Sequence, residues 1–555
     1  MRQIVDKIEQ DLPSYKSIPF WSWNDKLEES ELRKQIREMH ELDMGGFFMH
    51  ARGGLETEYL SEDWFDCIRA CMDEAKKLGM QAWSYDENGW PSGFAGGALL
   101  KDKKNLAMAM EYKFGPFPEE NENIIAVYKK MEDGSFVWIQ NEQQATIAED
   151  STQEQNINVA TKEEYLILYK RYDKSYVDTL NPEVTEKFIK ATHELYQAKL
   201  AAEDFGTGKV MPGFFTDEPQ YYRWGNSYSD TLPEQFEKAY GYSIFEKLPA
   251  VFFDIEGAEK FRYDYYYLTH KLFINNFIKK IYEWCEANNV QLTGHAVEET
   301  SLDWQMTCAG GVMPFYQYEH IPGIDYLGRG IVDDIAPKQL GSACAQLGRK
   351  KAISEMFGCC GWDVSPRELK RIAEVQYVNG VNLLCHHLIP YVENGHCKRD
   401  HPAHYSPKNP WVKESFAEFN LYVSRLSKLL ACSKEPVNVA MLHPIRSGYF
   451  DYKRDLGPGS EFGIGQQEEI FRQDCRMFSA NCVAYHFLDE TLLKKHGFVD
   501  GNKIGCGKCT YDYLVLPHIL TMDVSTEKLL RQYVAGGGKI LILGDAPSYL
   551  EGEPH

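Results

Sequence analysis

Strand-like segments alternate with helical ones through the first 390 residues, at roughly the 30-residue spacing of a strand–helix–strand unit. Repetition of that unit builds a parallel sheet covered by helices. The first strand reads Ile18-Pro19-Phe20-Trp21-Ser22-Trp23 and the second Gly45-Gly46-Phe47-Phe48-Met49-His50. Residues 80–85, 211–216 and 290–295 supply the third, fourth and fifth. The sixth is Ile324-Asp325-Tyr326-Leu327, the seventh Ala352-Ile353-Ser354, and the eighth spans 380–386. Between strands one and two, Leu32, Ile36 and Met39 recur at three- and four-residue spacing, which predicts a helix over 27–42. Ser61 is placed to cap the next helix and Gly79 to end it. A helix over 411–430 would close the barrel. The expected class is α/β, a (β/α)8 barrel of TIM type over residues 1–430.

Two stretches break the rhythm. Residues 105–172 hold short apolar runs in a polar, acidic context and read as a β-rich insertion after strand three. After Pro436 the period restarts, with strands at 437–442, 482–485, 513–516 and 539–543. This reads as a small doubly wound, flavodoxin-like α/β unit over 431–555. It stops soon after its fourth strand, which predicts a native chain longer than 555 residues.

The net charge of −22 argues against nucleic acid or an anionic membrane as partner. No run of 18 apolar residues predicts a membrane span, and residues 1–7 lack the apolar core of a signal peptide. The 14 cysteines are scattered, as reduced thiols are, so the chain reads as cytoplasmic. Cys506 and Cys509 form a lone pair without a partner pair at zinc spacing, a weak metal signal. Aromatic content of 13% leans toward a carbohydrate ligand.

A barrel of this type keeps its chemistry at the C-terminal ends of its strands. Strand four ends in Thr216-Asp217-Glu218-Pro219 and strand seven runs into Glu355-Met356-Phe357-Gly358. Two facing carboxylates there suit glycosidic-bond hydrolysis. Asp217 would raise the pKa of Glu218, making it the general acid; Glu355 would be nucleophile or base. In isolation each could be a solvated loop carboxylate, and their shared strand-end position favours function. The other strand ends are polar and aromatic. His50, Arg52, Asp86, Glu87, Asp217, His295, Glu298, Tyr326 and His386 are expected to bind the substrate's hydroxyls, with Trp90 and Tyr391 against ring faces. Glu298 and Glu299 are successive and diverge, so they do not serve the sugar equally. Asp86, Glu87, Glu298, Glu299 and Asp325 could offer oxygens to calcium, though without EF-hand spacing. No phosphate-binding glycine motif and no Gly-x-Ser-x-Gly elbow is present, so no nucleotide cofactor is expected and an esterase is disfavoured.

Six motifs occur in order: Pro19-Phe20-Trp21-Ser22-Trp23-Asn24, Gly45 to Arg52, Tyr85 to Gly93, Phe214 to Pro219, Thr293-Gly294-His295 and Ser354 to Gly358. Together, over roughly residues 15–430, the chain resembles glycoside hydrolase family 106, whose characterised activity is α-L-rhamnosidase. The C-terminal unit resembles the one following the barrel in family 42 β-galactosidases. The resemblance implies inverting hydrolysis, with the acid at Glu218, the base at Glu355 and a calcium ion near the sugar. Glutamates on strands four and seven are also similar to those of retaining barrel glycosidases, which leaves the stereochemistry open. The family 42 likeness makes a homo-oligomer an expectation. Three other readings stand beside the rhamnosidase. These are a retaining β-galactosidase-like enzyme, a carbohydrate-binding barrel without turnover, and a metal-dependent hydrolase or lyase built on His50, His295 and His386.

Overall fold

Eight short parallel strands carry the architecture: β1 (Phe20–Trp23), β2 (Gly46–Ala51), β3 (Gln81–Asn88), β4 (Gly213–Asp217), β5 (Gln291–His295), β6 (Gly323–Tyr326), β7 (Ile353–Met356) and β8 (Leu383–His386). The computed structural model describes residues 11–140, 164–331, 334–454 and 464–555. The segment behind the leader and compartment expectation, and part of the expected insertion, lie outside the described residues.

Strands β1 to β5 pair in parallel, each beside the next, as do β6, β7 and β8. A bridge between Thr293 and Ile321 joins β5 to the start of β6. The Ile18 N–H bonds Leu384 O at 2.9 Å and closes β8 onto β1. The circuit is a TIM-type barrel. All eight strands fall within three residues of their predicted starts, because a buried parallel strand reads as a near-continuous apolar run.

Phe20, Phe48, Trp83, Tyr85, Phe215, Ile353, Leu383 and Cys385 form one buried cluster inside the barrel. Phe20 lies edge-on to Phe48 and Phe215, with ring centroids 5.6 and 4.8 Å apart. Edge-to-face packing suits the ring quadrupoles and makes the lower barrel a solid plug. The outward residues of the same strands, Phe47, Met49 and Phe214, join the layer between sheet and helices. Ser61 Oγ accepts Trp64 N–H to start helix Glu62–Leu78, and Gly79 ends it at φ +69°. Helix Pro366–Tyr377 opens on a full capping box between Ser365 and Glu368.

After β3 the chain leaves the barrel. Strands Leu106–Gly115, Ile124–Lys130, Phe136–Ile139 and Tyr165–Val177 form an antiparallel sheet, which Asn226–Tyr228 joins from beyond β4. At the C-terminal end Tyr485–Leu488, Val439–Leu442, Tyr513–Leu516 and Lys539–Ile542 lie side by side in a parallel sheet. The second of these in sequence begins three residues later than predicted. Helix Gly465–Ala480 runs close to that point and Cys482 turns the chain at φ +54°, so residues 481–484 are a connection. Cys506 and Cys509 face each other across an antiparallel hairpin, both as free thiols. Arg446 is buried where this region meets helix Ala258–Phe273. It binds Asp523 at 2.9 Å and lies over the ring of Tyr267, while Tyr263 O–H donates to the same aspartate. Among the described residues, no helix is long and apolar enough to cross a membrane.

Candidate active site

Successive side chains of a strand point to opposite faces, so each inward residue of the plug is followed two positions later by another inward residue. Above Phe48, Trp83, Phe215 and Ile353 this rule places His50, Tyr85, Asp217 and Glu355. The plug therefore carries a polar layer at its C-terminal end.

The layer is wired together. Tyr85 O–H donates to Asp217 Oδ2 at 2.5 Å. His295 Nε2 stands 2.8 Å from Glu355 Oε2 and 3.4 Å from Asp217 Oδ1, and its Nδ1 lies 2.8 Å from Ala296 O. His387 Nε2 is 3.7 Å from the other oxygen of Glu355. Asp217 is fixed from the main chain too, since its N–H donates to Ser92 Oγ at 2.8 Å. Glu218 follows directly, with a left-handed backbone at φ +44° and a buried Oε2 that meets no hydrogen-bond partner.

Glu218 and Glu355 both line a cavity of about 250 Å³, with Arg52, Trp90, Asp217, Arg223, Glu298, Asp325, His387 and His401 among its walls. A neighbouring cavity of about 280 Å³ shares Glu218, Glu298 and Asp325 and continues to Glu299, Thr300, Tyr326 and Arg472. Burial, with the charges of Asp325 and Asp217 behind it, pushes the Glu218 carboxyl well above the ordinary glutamate range. Burial and Glu355 raise Asp217 to about 6. Burial alone would depress His295, but its bond to Glu355 and the charge of Asp217 outweigh that and hold it well above the usual histidine range. The site thus favours the charged form of the His295 imidazole and the protonated form of Glu218.

Five sequence expectations need correction. Asp86 and His386 each neighbour an inward residue, Tyr85 and Cys385, and so point outward. Asp86 accepts Ser92 O–H at 2.6 Å and faces His193 on a covering helix. His386 bonds Asn420 at 2.8 Å beneath helix Pro410–Ala431. Glu87 spends its oxygens on the backbone N–H groups of Asn88, Gly93, Phe94, Ala95 and Gly96, so it folds the loop that carries Trp90. Tyr391 lines a separate cavity with Glu31, Lys398 and Lys408. His50 is stacked on Tyr85 at 3.7 Å, fully buried, and borders neither catalytic cavity.

Arg52, Trp90, Asp217, Glu298 and Tyr326 do border the cavities. Arg52 is held by both oxygens of Asp400, at 2.8 and 2.7 Å. Trp90 is 46% exposed at the mouth, with the Arg223 guanidinium 5.9 Å from its ring. Arg223 also pairs with Glu298. Arg223, Asp325, His387 and Asp400 were not on the expected substrate list. His387 stands beside His386, which the alternation of strand faces turns away from the site, while Asp325 and its neighbour Tyr326 both border a cavity. Arg223 and Asp400 come from loops and have no periodic signal.

His50, His295 and His386 do not converge on a metal. Among the described residues, the close donor group is Asp217, His295 and Glu355, with ligand atoms within 4.8 Å of one another. Its imidazole is already committed to Glu355. Calcium prefers oxygens alone, and the adjoining cavity offers them. Glu299 is buried there and Asp325 half-buried, with both Glu299 oxygens and Asp325 Oδ1 meeting no well-formed donor. Burial, with the charge of Glu218 on Glu299 and of Glu355 on Asp325, holds both carboxyls well above their ordinary range. A hard cation is what such oxygens would suit, although Glu298, Glu299 and Asp325 do not form a close donor group among the described residues.

A parallel barrel with one buried glutamate after β4 and a histidine-paired glutamate on β7 has the layout of a glycoside hydrolase. The comparisons agree. The family model of glycoside hydrolase family 106, described as alpha-L-rhamnosidase, matches residues 120–551, a span that includes both glutamates. The chain belongs to that family. Its fold is similar to a rhamnosidase from Novosphingobium sp. PP1Y, with a TM-score of 0.68 at 13% identity, over 99% of this chain and 70% of that one. It is also similar to a family 42 β-galactosidase from G. stearothermophilus, with a TM-score of 0.58 at 12% identity, over 96% of this chain and 73% of that one. A β-galactosidase from Bacillus circulans sp. alkalophilus gives a TM-score of 0.57 at 10% identity, over 97% and 72%. No curated protein sequence matches the chain significantly.

Proposed function

We propose that this glycoside hydrolase is an exo-acting α-L-rhamnosidase in which Glu218 is the general acid and Glu355 the general base. The observation that carries the reading is the pairing of a protonated, unpartnered Glu218 with a histidine-bound Glu355 on one cavity. Glu218 gives its proton to the glycosidic oxygen as the bond to the anomeric carbon breaks. Glu355 takes a proton from the water that attacks that carbon. His295 aims the Glu355 carboxylate, and Tyr85 and Ser92 fix Asp217 beside it. Trp90 offers a ring face at the mouth, while Asp217, Glu298 and Tyr326 are within reach of hydroxyls. Family membership favours inversion. We assign the barrel to 1–430 with its β-rich insertion at 105–172, and the flavodoxin-like unit to 431–555; the antiparallel and parallel sheets described above support those limits.

A panel of aryl glycosides tests the substrate. Release is expected from the α-L-rhamnoside and not from the β-D-galactoside, with the inverted anomer appearing first by proton NMR. Preference for the galactoside, or a retained first product, would favour the family 42-like reading instead.

Glu299 and Asp325, with Glu298 beside them, would hold a calcium ion. Bound there, it supplies positive charge for the sugar's hydroxyl oxygens. Chelation with EGTA is expected to lower activity and the thermal midpoint together, with both restored by calcium and neither by magnesium. Glu299→Gln should abolish that response. An enzyme indifferent to EGTA would remove calcium from this account.

A further inference from the structure

Helix Gly465–Ala480 lies far along the chain from the catalytic glutamates, yet it grips the rim of the barrel. Glu468 Oε2 accepts the Leu302 N–H at 2.6 Å, and Arg472 donates to Thr300 O at 3.1 Å. The two side chains are ion-paired to each other at 2.5 Å. Just ahead of the helix, Ile464 N–H donates to Asp303 at 2.6 Å. These contacts all fall on residues 300–303, immediately after Glu298 and Glu299. On the other side of the loop, Gln305 and Gln339 donate to Glu299 O at 3.1 and 3.0 Å. His443, from strand Val439–Leu442's end, lies 2.7 Å from Gln339 Oε1.

The loop needs such a grip. Glu298 has φ +61°, a left-handed conformation that a side chain disfavours. Backbone strain of this kind persists where the surroundings over-determine it, and it clusters at functional sites. Glu298 and Glu299 both face the cavities, and Arg472 itself forms part of the cavity wall.

We propose that helix Gly465–Ala480 is a positioning element of the active site, with Glu468 and Arg472 holding loop 298–303 so that Glu298 and Glu299 are presented to the cavity. The C-terminal α/β region is then a working part of the barrel's chemistry. The proposal rests on reading the cavity as the sugar pocket.

The test uses the full chain with Glu468→Ala, Glu468→Gln, Arg472→Gln and Gln473→Ala. Gln473 bonds only Glu469 on the exposed side of the helix and serves as the control. Amide hydrogen exchange at 298–303 is expected to accelerate in Glu468→Ala and Arg472→Gln, and KM to rise about tenfold as the site loosens. Glu468→Gln, whose amide oxygen still accepts the Leu302 N–H, should recover most of both effects, and Gln473→Ala should show neither. Wild-type exchange at the loop in Glu468→Ala overturns the proposal, as does faster exchange with KM unchanged. Where Glu468→Ala fails to fold, Arg472→Gln decides by the same two readings. If the wild type cleaves no glycoside, the substrate reading fails while the exchange measurement still decides the positioning role.

Discussion

Glu218→Gln is expected to lower kcat on a glycoside with a poor leaving group by about 10²–10⁴-fold, the usual share of general acid catalysis. The same variant should lose far less on a glycoside whose leaving group is an acidic phenol, because that oxygen departs without a proton. Glu355→Gln should lower both substrates alike, since activation of the attacking water does not depend on what leaves. The pH profile gives a second signature. As the proposed acid Glu218 must work protonated, and burial with the charges of Asp325 and Asp217 favours that form beyond the ordinary range. Activity therefore declines only as pH rises through that elevated pKa, and the alkaline limb should vanish in Glu218→Gln. Full activity in both variants would remove the two-glutamate assignment altogether.

Arg446→Leu is expected to cost about 3–5 kcal/mol of stability, the penalty for stranding a buried charge. Arg446 and Asp523 are both about 1% exposed in their side chains. Glu490 is beside them, raised to about 8 by burial and by Asp523, with Arg446 pulling the other way. Removing the guanidinium leaves Asp523 facing that second carboxyl with the Tyr263 hydroxyl, and takes from the Thr491 hydroxyl its donor. Denaturant unfolding should show the loss, and Arg446→Leu combined with Asp523→Asn should recover part of it. A single variant as stable as wild type would mean that the pair is idle. Because Tyr263 and Tyr267 come from helix Ala258–Phe273, the loss should weaken the joint between barrel and C-terminal region first.

The barrel was legible because its strands are buried on both faces and read as apolar runs; β6, broken by the polar Asp325, was the faintest of them. The site was legible to the extent that one rule, two residues per inward step, reaches from Phe215 to Asp217 and from Ile353 to Glu355. The same rule, applied strictly, excludes Asp86 and His386, which polarity alone had drawn into the site. Glu87 obeys neither pattern. It is a buried carboxyl surrounded by main-chain N–H groups, and nothing in a sequence records where a loop's amides will point. Tyr391 lies one turn of chain beyond β8, where the path leaves the catalytic mouth for another cavity. Arg472 was out of reach because its role depends on how two distant parts of the chain are packed. Cys482 shifted a strand because a left-handed residue after a helix looks, in sequence, like any other member of an apolar run.

The sheet that interrupts the barrel after β3 is tied to the segment that follows Glu218. Met108, Ala109 and Met110 pair with Tyr228, Ser227 and Asn226. Arg171 holds the Tyr222 hydroxyl and Trp224 O, and Tyr176 O–H accepts the Gln220 N–H. Inheritance of the acid and inheritance of the insertion are therefore coupled. A lineage that trimmed the described strands of the insertion would strip the support from 220–228, the segment that follows Glu218, even though the barrel's own strands were left untouched.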